Sequence, residues 1–356
     1  MIDCSKDVLA YHDDEVTLPQ AERTAMRDRR DANRKRIRKG LEDKKDPKPI
    51  QFCKQGSYAM KNMVQHPELK YDIDDGIYFE KEDLKHSNGV DKSAIDARTM
   101  VSDAVDDGSF NTPPEVCSNC VRVHYAAGYH VDIPVYRRVV TTDLFGNEQE
   151  HFELAGSDWK RSDARDVTDW FDKENQSQSP DILNGRQLRR MTREIKKFTQ
   201  GRKSWEEKAS GLMITKLVSE CYQANADRED MALYYTMQGI RDRLKLSLVV
   251  HHPVTPNDTI TKGDDDPKAQ FLRDKLSDAV SWLSILFDSS CTRKQALAAW
   301  DKVYNTDYFS DRLEEEIEES KAAAIGAPSI LTGGLVKSWA TAEPRAVQKE
   351  GGGRYA

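Results

Sequence analysis

Three aspartates and a Gly-Ser pair carry the chemistry written most plainly in the chain. Asp72 and Asp74 stand two apart in Tyr71-Asp72-Ile73-Asp74, just ahead of Ile77-Tyr78-Phe79, and this run predicts a β-strand. Side chains two apart on a strand share a face, so both carboxylates project to one side and Asp75 to the other. Asp132, within His130-Val131-Asp132-Ile133-Pro134, is a third carboxylate on a second apolar strand. Three carboxylates on one sheet face repel each other unless cations lie between them, and oxygen-only donors suit Mg²⁺. Gly56-Ser57 follows a short predicted strand and precedes a predicted helical turn over 58–63. Glycine lets the backbone approach a phosphate closely, while N–H groups and the Ser hydroxyl donate to its oxygens. Alone, Gly-Ser is a turn. With fourteen residues between Ser57 and Asp72 and a later strand aspartate, the arrangement becomes specific.

Elements that position these residues follow from periodicity. Strands are expected at 50–54, 73–79, 121–125, 130–139 and 152–154, with a helix over 92–105 packed on the sheet's back. Residues 1–16 read as a loop or loosely docked arm. A long helix is expected from Pro19 to about Lys44, with proline suited to its first turn. Its density of arginine between Arg23 and Lys39 invites a nucleic-acid reading, but a solvated helix laced by Glu and Asp is the favoured one. Further on, Leu188, Met191, Ile195 and Phe198 recur at helical spacing, opposite Arg189, Arg190, Arg193, Lys196 and Lys197. More amphipathic helices are expected over 210–218, 231–248, 269–287, 292–303 and 308–324. The implied organisation is an arm and long helix over 1–47, a sheet lobe over 48–165, a helical lobe over 166–325 and a Gly-, Thr-, Ala- and Pro-rich tail over 326–356.

Composition narrows the class. With 356 residues the chain can form two lobes or one large domain. Lys+Arg 54 against Asp+Glu 61 gives a net charge of -7, so nothing global marks a nucleic-acid coat or a membrane-surface protein. No long apolar run and no signal-peptide core are found, and a cytoplasmic location is expected. Six scattered cysteines imply free thiols. Cys117-x-x-Cys120 with His124 and His130 resembles half of a zinc site, but a second CxxC or clear fourth ligand is missing, and coincidental spacing is favoured.

The motifs Gln55-Gly56-Ser57, Asp72-Ile73-Asp74-Asp75-Gly76 and His130-Val131-Asp132-Ile133-Pro134-Val135-Tyr136 resemble the nucleotidyltransferase superfamily. More narrowly, they resemble the bacterial cGAS/DncV-like nucleotidyltransferases, which make cyclic di- or trinucleotide messengers in anti-phage defence. Similarity extends through residues 162–171 and 188–198 and covers most of the chain between about 20 and 320. The resemblance implies an α/β fold with a polymerase-β-like mixed-sheet lobe, a helical C-terminal lobe and a central cleft. It also implies NTP substrates and no obligatory nucleic acid or membrane. Asp72, Asp74 and Asp132 would bind two Mg²⁺, with Mn²⁺ as an alternative. Gln55, Gly56 and Ser57 would bind nucleotide, Gly56 and Ser57 holding donor phosphates from one side. Lys196 and Ser210 would do so from the other, with Lys197 competing for the role of Lys196. Some family members are joined to targets through their C-terminal carboxylate by a ubiquitin-transfer-like enzyme, which implies Ala356 as a conjugation point. Linear oligonucleotide synthesis, or modification of RNA or protein, is the alternative on the same scaffold.

Overall fold

The computed structural model describes residues 2–66, 71–126, 128–143 and 145–325. The chain divides into two units, Met1–Ser310 and Asp311–Ala356. Of the second, the described part is the continuation of helix α11 (Tyr308–Ile325). Ala356 and the tail assigned to 326–356 lie outside the described residues.

The first unit is built around strand β2 (Asp72–Glu80). On one side β1 (Gln51–Gln55) pairs antiparallel with it, and its last rung sets Gln55 opposite Asp74. On the other side β5 (His130–Ile133) and β6 (Val135–Thr142) run parallel to β2 in one continuous register. The single strand expected over 130–139 is thus two segments meeting at Pro134, which has no N–H to give a ladder but still accepts from Ile77 N–H at 2.9 Å. The β3–β4 hairpin (Glu115–Val116, Val121–His124) extends the sheet beyond β5, and β7 (Glu148–Ala155) and β8 (Trp159–Arg161) extend it beyond β6.

Alternation along β2 sorts its two faces. Ile73, Ile77 and Phe79 are fully buried in a core with Met26, Ile37 and Leu41 of α2 (Gln20–Lys44) and with Ala97, Val101 and Val105 of α4 (Ala94–Val105). Asp75 shares that face, and Arg34 of α2 meets its carboxylate with two donors at 2.6 and 2.5 Å. The arginines of α2 are more than a solvated surface. Arg29 lies 3.9 Å from the centre of the Tyr129 ring, Arg38 stacks on Phe52 and Arg36 on Phe110. Guanidinium groups are weakly hydrated and planar, so aromatic rings cover them at little cost.

The N-terminal residues correct another expectation. Residues 5–11 form helix α1 (Ser5–Tyr11), followed by a π-turn over His12–Val16. Cys4, Val8 and Tyr11 are buried, and Asp7 pairs with Arg293. Their i, i+4, i+7 spacing was the available signal, too short to stand out in a polar stretch. Helices α5 (Ala164–Gln178), α6 (Gln187–Gln200), α7 (Gly211–Cys221), α8 (Glu229–Leu246), α9 (Pro267–Leu283) and α10 (Arg293–Tyr304) complete the unit. No helix among the described residues is long and apolar enough to cross a membrane.

Candidate active site

The open face of the sheet forms one wall of a cleft of about 1610 Å³, lined among others by Gly56, Ser57, Asp72, Asp74, Asp132 and Lys196. Parallel pairing of β2 with β5 sets Asp72 beside His130 and Asp74 beside Asp132, so the three expected carboxylates do share one face. Burial, then the charges of Asp132 and Asp72, push the Asp74 carboxyl up to about 6. Asp74 makes no ion pair among the described residues. Asp132 accepts two hydrogen bonds from Arg122 of β4, at 2.7 and 2.6 Å, and Asp72 pairs with His130 Nδ1 at 3.1 Å.

These residues fit a hard divalent cation in kind: the donors are carboxylate oxygens, and burial together with their crowding disfavours the ionised form of Asp74, which a cation relieves. In the present conformation no three His, Cys, Asp or Glu side chains among the described residues group closely enough to hold a metal. Arg122 and His130 occupy two of the carboxylates. The Cys117, Cys120, His124 and His130 set forms no metal cluster either. His124 turns to Glu115 and His130 to Asp72.

Gly56 is required by two constraints at once. Its φ is +59°, and a Cβ there would lie 2.1 Å from Asp74 Oδ2. The four-residue helix α3 (Gly56–Ala59) therefore begins directly against the central carboxylate. Gln55 plays a different part from the expected contact with nucleotide. It is buried at 2% exposure; its amide donates to Tyr78 OH at 2.9 Å and accepts from Tyr136 OH at 3.1 Å. It lies over Gly76, where a Cβ would come within 2.2 Å of Gln55 Nε2. Both ends of the amide are engaged inside the protein, so Gln55 anchors the loop from beneath.

Helices α6 and α7 supply the opposing wall. Lys196 Nζ donates to Asn62 Oδ1 at 2.7 Å and to the Asn62 carbonyl at 3.2 Å. Burial and the neighbouring Arg193 push its ammonium down to about 7. An ammonium has three donors, so one remains beyond the two that Asn62 accepts. Gly211 leaves the space beside it open: a Cβ there would sit 3.4 Å from Lys196 Nζ. Ser210 caps α7 by accepting from Met213 N–H at 3.2 Å, which leaves its hydroxyl hydrogen to donate. Lys197 points elsewhere, reaching the Gln65 carbonyl at 3.5 Å, and does not line the cleft. Arg122 and Asn62 are the site neighbours that sequence alone did not single out, and His130, noted there only beside the CxxC pair and in the Asp132 motif, is the partner of Asp72. Arg122 had one legible signal, a charge alternating with Val121 and Val123 on an apolar strand.

Comparison with known proteins agrees with this geometry. Residues 50–136 match the nucleotidyltransferase domain of the Cyclic GMP-AMP synthase DncV-like family. The fold is shared with Vibrio cholerae DncV in its apo form, at 17% identity and a TM-score of 0.63 over 82% of this chain and 91% of that one. It is also shared with Escherichia coli DncV bound to 3'-deoxy GTP, at 14% identity and a TM-score of 0.61 over 82% and 92%. The stretch that matches the family begins ahead of the Gly-Ser turn and ends just past Asp132, so it contains Gly56, Ser57 and all three carboxylates. Residues 50–136 thus match a DncV-like nucleotidyltransferase domain, and the chain as a whole has the fold of the DncV structures.

Proposed function

We propose that the protein joins nucleoside triphosphates into a cyclic di- or trinucleotide and releases pyrophosphate. The observation that carries this reading is the contact of Gly56 with Asp74, which sets a phosphate-compatible turn against three carboxylates on one wall of a cleft. Support for a cyclic product comes from Vibrio cholerae DncV, a cyclic AMP-GMP synthase, whose GTP-bound form has also been solved. The resemblance of the motifs further supports a role in anti-phage signalling.

In this reading Asp72, Asp74 and Asp132 would hold Mg²⁺, with Arg122 and His130 turning away. When bound, Mg²⁺ lowers the pKa of an acceptor hydroxyl and neutralises triphosphate charge. Gly56 and Ser57 grip donor phosphates from the sheet side, Lys196 and Ser210 from the helical side. Held between them, the α-phosphate faces in-line attack by the acceptor hydroxyl, and pyrophosphate leaves. Such positioning is a large part of what a phosphoryl-transfer site supplies. Repeating the step within one cleft closes the ring.

Purified protein incubated with Mg²⁺ and four labelled NTPs is expected to give a product that resists phosphatase, because a ring has no terminal phosphate. A product that loses its label to phosphatase would identify a linear oligonucleotide instead. Absence of any product, with folded protein and all four nucleotides present, would overturn the reading. The same resemblance supports Ala356 as a point of conjugation by a ubiquitin-transfer-like enzyme. Deleting residues 351–356 is then expected to abolish conjugates in cells carrying that enzyme and to spare synthesis by purified protein.

A further inference from the structure

Basic side chains along α6 turn toward one short stretch of backbone. Arg189 Nε donates to the Met60 carbonyl at 3.0 Å. Arg193 donates twice to the Lys61 carbonyl, from Nε at 2.9 Å and Nη2 at 2.5 Å. Lys196 follows at the Asn62 carbonyl. Positions 189, 193 and 196 lie on one stripe of a helix, and that stripe follows the chain as it leaves α3, residue by residue.

The stretch they hold is the end of the turn that begins with Gly56-Ser57. Asn62 N–H donates to the Ser57 carbonyl at 3.1 Å and Lys61 N–H to the Tyr58 carbonyl at 3.3 Å, the paired closure of a Schellman motif. Such a closure needs a left-handed residue, usually glycine, and here Lys61 supplies it with φ +54°. A side chain makes that conformation unfavourable, so something outside the turn must hold it. Carbonyls at a helix end lack intrahelical partners and attract cations, and α6 delivers them. Both arginines are fixed from behind. Arg189 also reaches Asp172 at 2.6 Å and the Gly185 carbonyl at 2.9 Å, and Arg193 reaches the Asn184 carbonyl at 3.3 Å. Neither lines the cleft.

We propose that Arg189 and Arg193 are positioning residues for the phosphate-gripping turn: by pinning the carbonyls of Met60 and Lys61 they hold Lys61 left-handed and so fix Gly56 and Ser57 over Asp74. This rests on the reading of Gly56-Ser57 as the donor grip. The turn's geometry is then set by the helical side of the cleft as much as by the strand it grows from.

The test uses full-length wild type, Arg193→Ala, Arg193→Lys and Arg193→Ala combined with Lys61→Gly. Hydrogen exchange in the nucleotide-free protein is expected to quicken by about tenfold at the Lys61 and Asn62 amides, which close the turn, in Arg193→Ala, with α8 and α9 unchanged. The KM for whichever NTP the wild type uses is expected to rise by about tenfold while kcat changes by less than about threefold. Arg193→Lys keeps one donor and should fall between. Glycine adopts the left-handed backbone unaided, so Lys61→Gly is expected to recover most of the lost KM, a rescue that a merely structural role for Arg193 does not predict. Unchanged exchange at the Lys61 and Asn62 amides in Arg193→Ala, or no recovery with Lys61→Gly, would overturn the proposal. Should the wild type transfer no nucleotide, the reading of the site fails, and the exchange comparison alone decides whether α6 fixes the turn.

Discussion

Asp74 and Asp75 are neighbours in sequence and opposites in environment. Asp75 faces the helix-covered side of the sheet, is 3% exposed, and is met in bidentate fashion by Arg34. Asp74 faces the cleft, has no ion-pair partner among the described residues, and is pushed up to about 6 by burial and by Asp132 and Asp72. Lys196 across the cleft mirrors it with the opposite sign: a buried ammonium met, among the described residues, by an amide and a carbonyl of Asn62, and pushed down to about 7. On the covered face Asp75 has its counter-charge inside the protein. At the cleft, one anionic and one cationic centre are left short, and a metal-bound triphosphate would complete both.

The strongest way to break this contrast is Asp74→Asn. Nucleotide transfer is expected to fall by about three orders of magnitude, since the substitution removes a ligand charge from where reaction charge must be balanced. Stability should move the other way. A carboxyl whose folded-state pKa is raised, here to about 6, weakens the folded state progressively as pH climbs from about 4 through 6. Above pH 6 the asparagine variant, free of that penalty, should be more stable than wild type by about 1–3 kcal/mol in metal-free denaturant titrations. Mg²⁺ should raise the melting temperature of wild type at neutral pH and leave that of the variant nearly unmoved.

Arg34→Ala tests the covered face. Leaving Asp75 buried and unpaired is expected to cost about 2–4 kcal/mol, read by denaturant unfolding, while specific activity of the folded protein stays within about twofold. Equal destabilisation by Arg34→Ala and Asp74→Asn would erase the distinction between the faces.

Lys196→Ala is expected to weaken donor NTP binding by roughly 1.5–3 kcal/mol, about tenfold to a hundredfold. The smallest effect is the most diagnostic. Because the free ammonium titrates near 7, a bound polyphosphate should raise its pKa and draw in a proton. Calorimetry at pH 7 in two buffers of different ionisation enthalpy should give an uptake of about half a proton more for wild type than for Lys196→Ala. Affinity should accordingly fall as pH rises through 7. Identical uptake in the two proteins would mean that Lys196 is already charged or never meets the phosphates.

Much of this was legible in the sequence because strand alternation is strict. Spacing alone assigned Asp72 and Asp74 to one face and Asp75 to the other, and β2 follows that assignment along its whole length. The pairing of Asp74 with Asp132 needed the register between β2 and β5, which no local pattern encodes. Gln55 was expected to bind nucleotide because it heads the resembling motif Gln55-Gly56-Ser57. Its true direction depends on Gly76, whose missing side chain makes room for the amide, and on two tyrosines from strands far apart in sequence. The basic face of α6 was visible as a stripe, but its acceptors are backbone carbonyls, which leave no mark on composition. The arginines of α2 read as solvated because aromatic partners such as Tyr129 and Phe110 lie well down the chain.

The last rung of the β1–β2 ladder, Gln55 opposite Asp74, has a consequence for how this protein can change. A ladder advances by whole residues of about 3.4 Å and turns each side chain over at every step. The gap between grip and acid is therefore metered in discrete clicks, with no intermediate settings. Adding or removing one residue in β1 would invert Gln55 and carry the turn off Asp74, whereas the β6–β7 connection, exposed at 145–147, can lengthen with little penalty. Variation in length should accumulate at the rim, while the distance that governs reaction can be adjusted only by substitution.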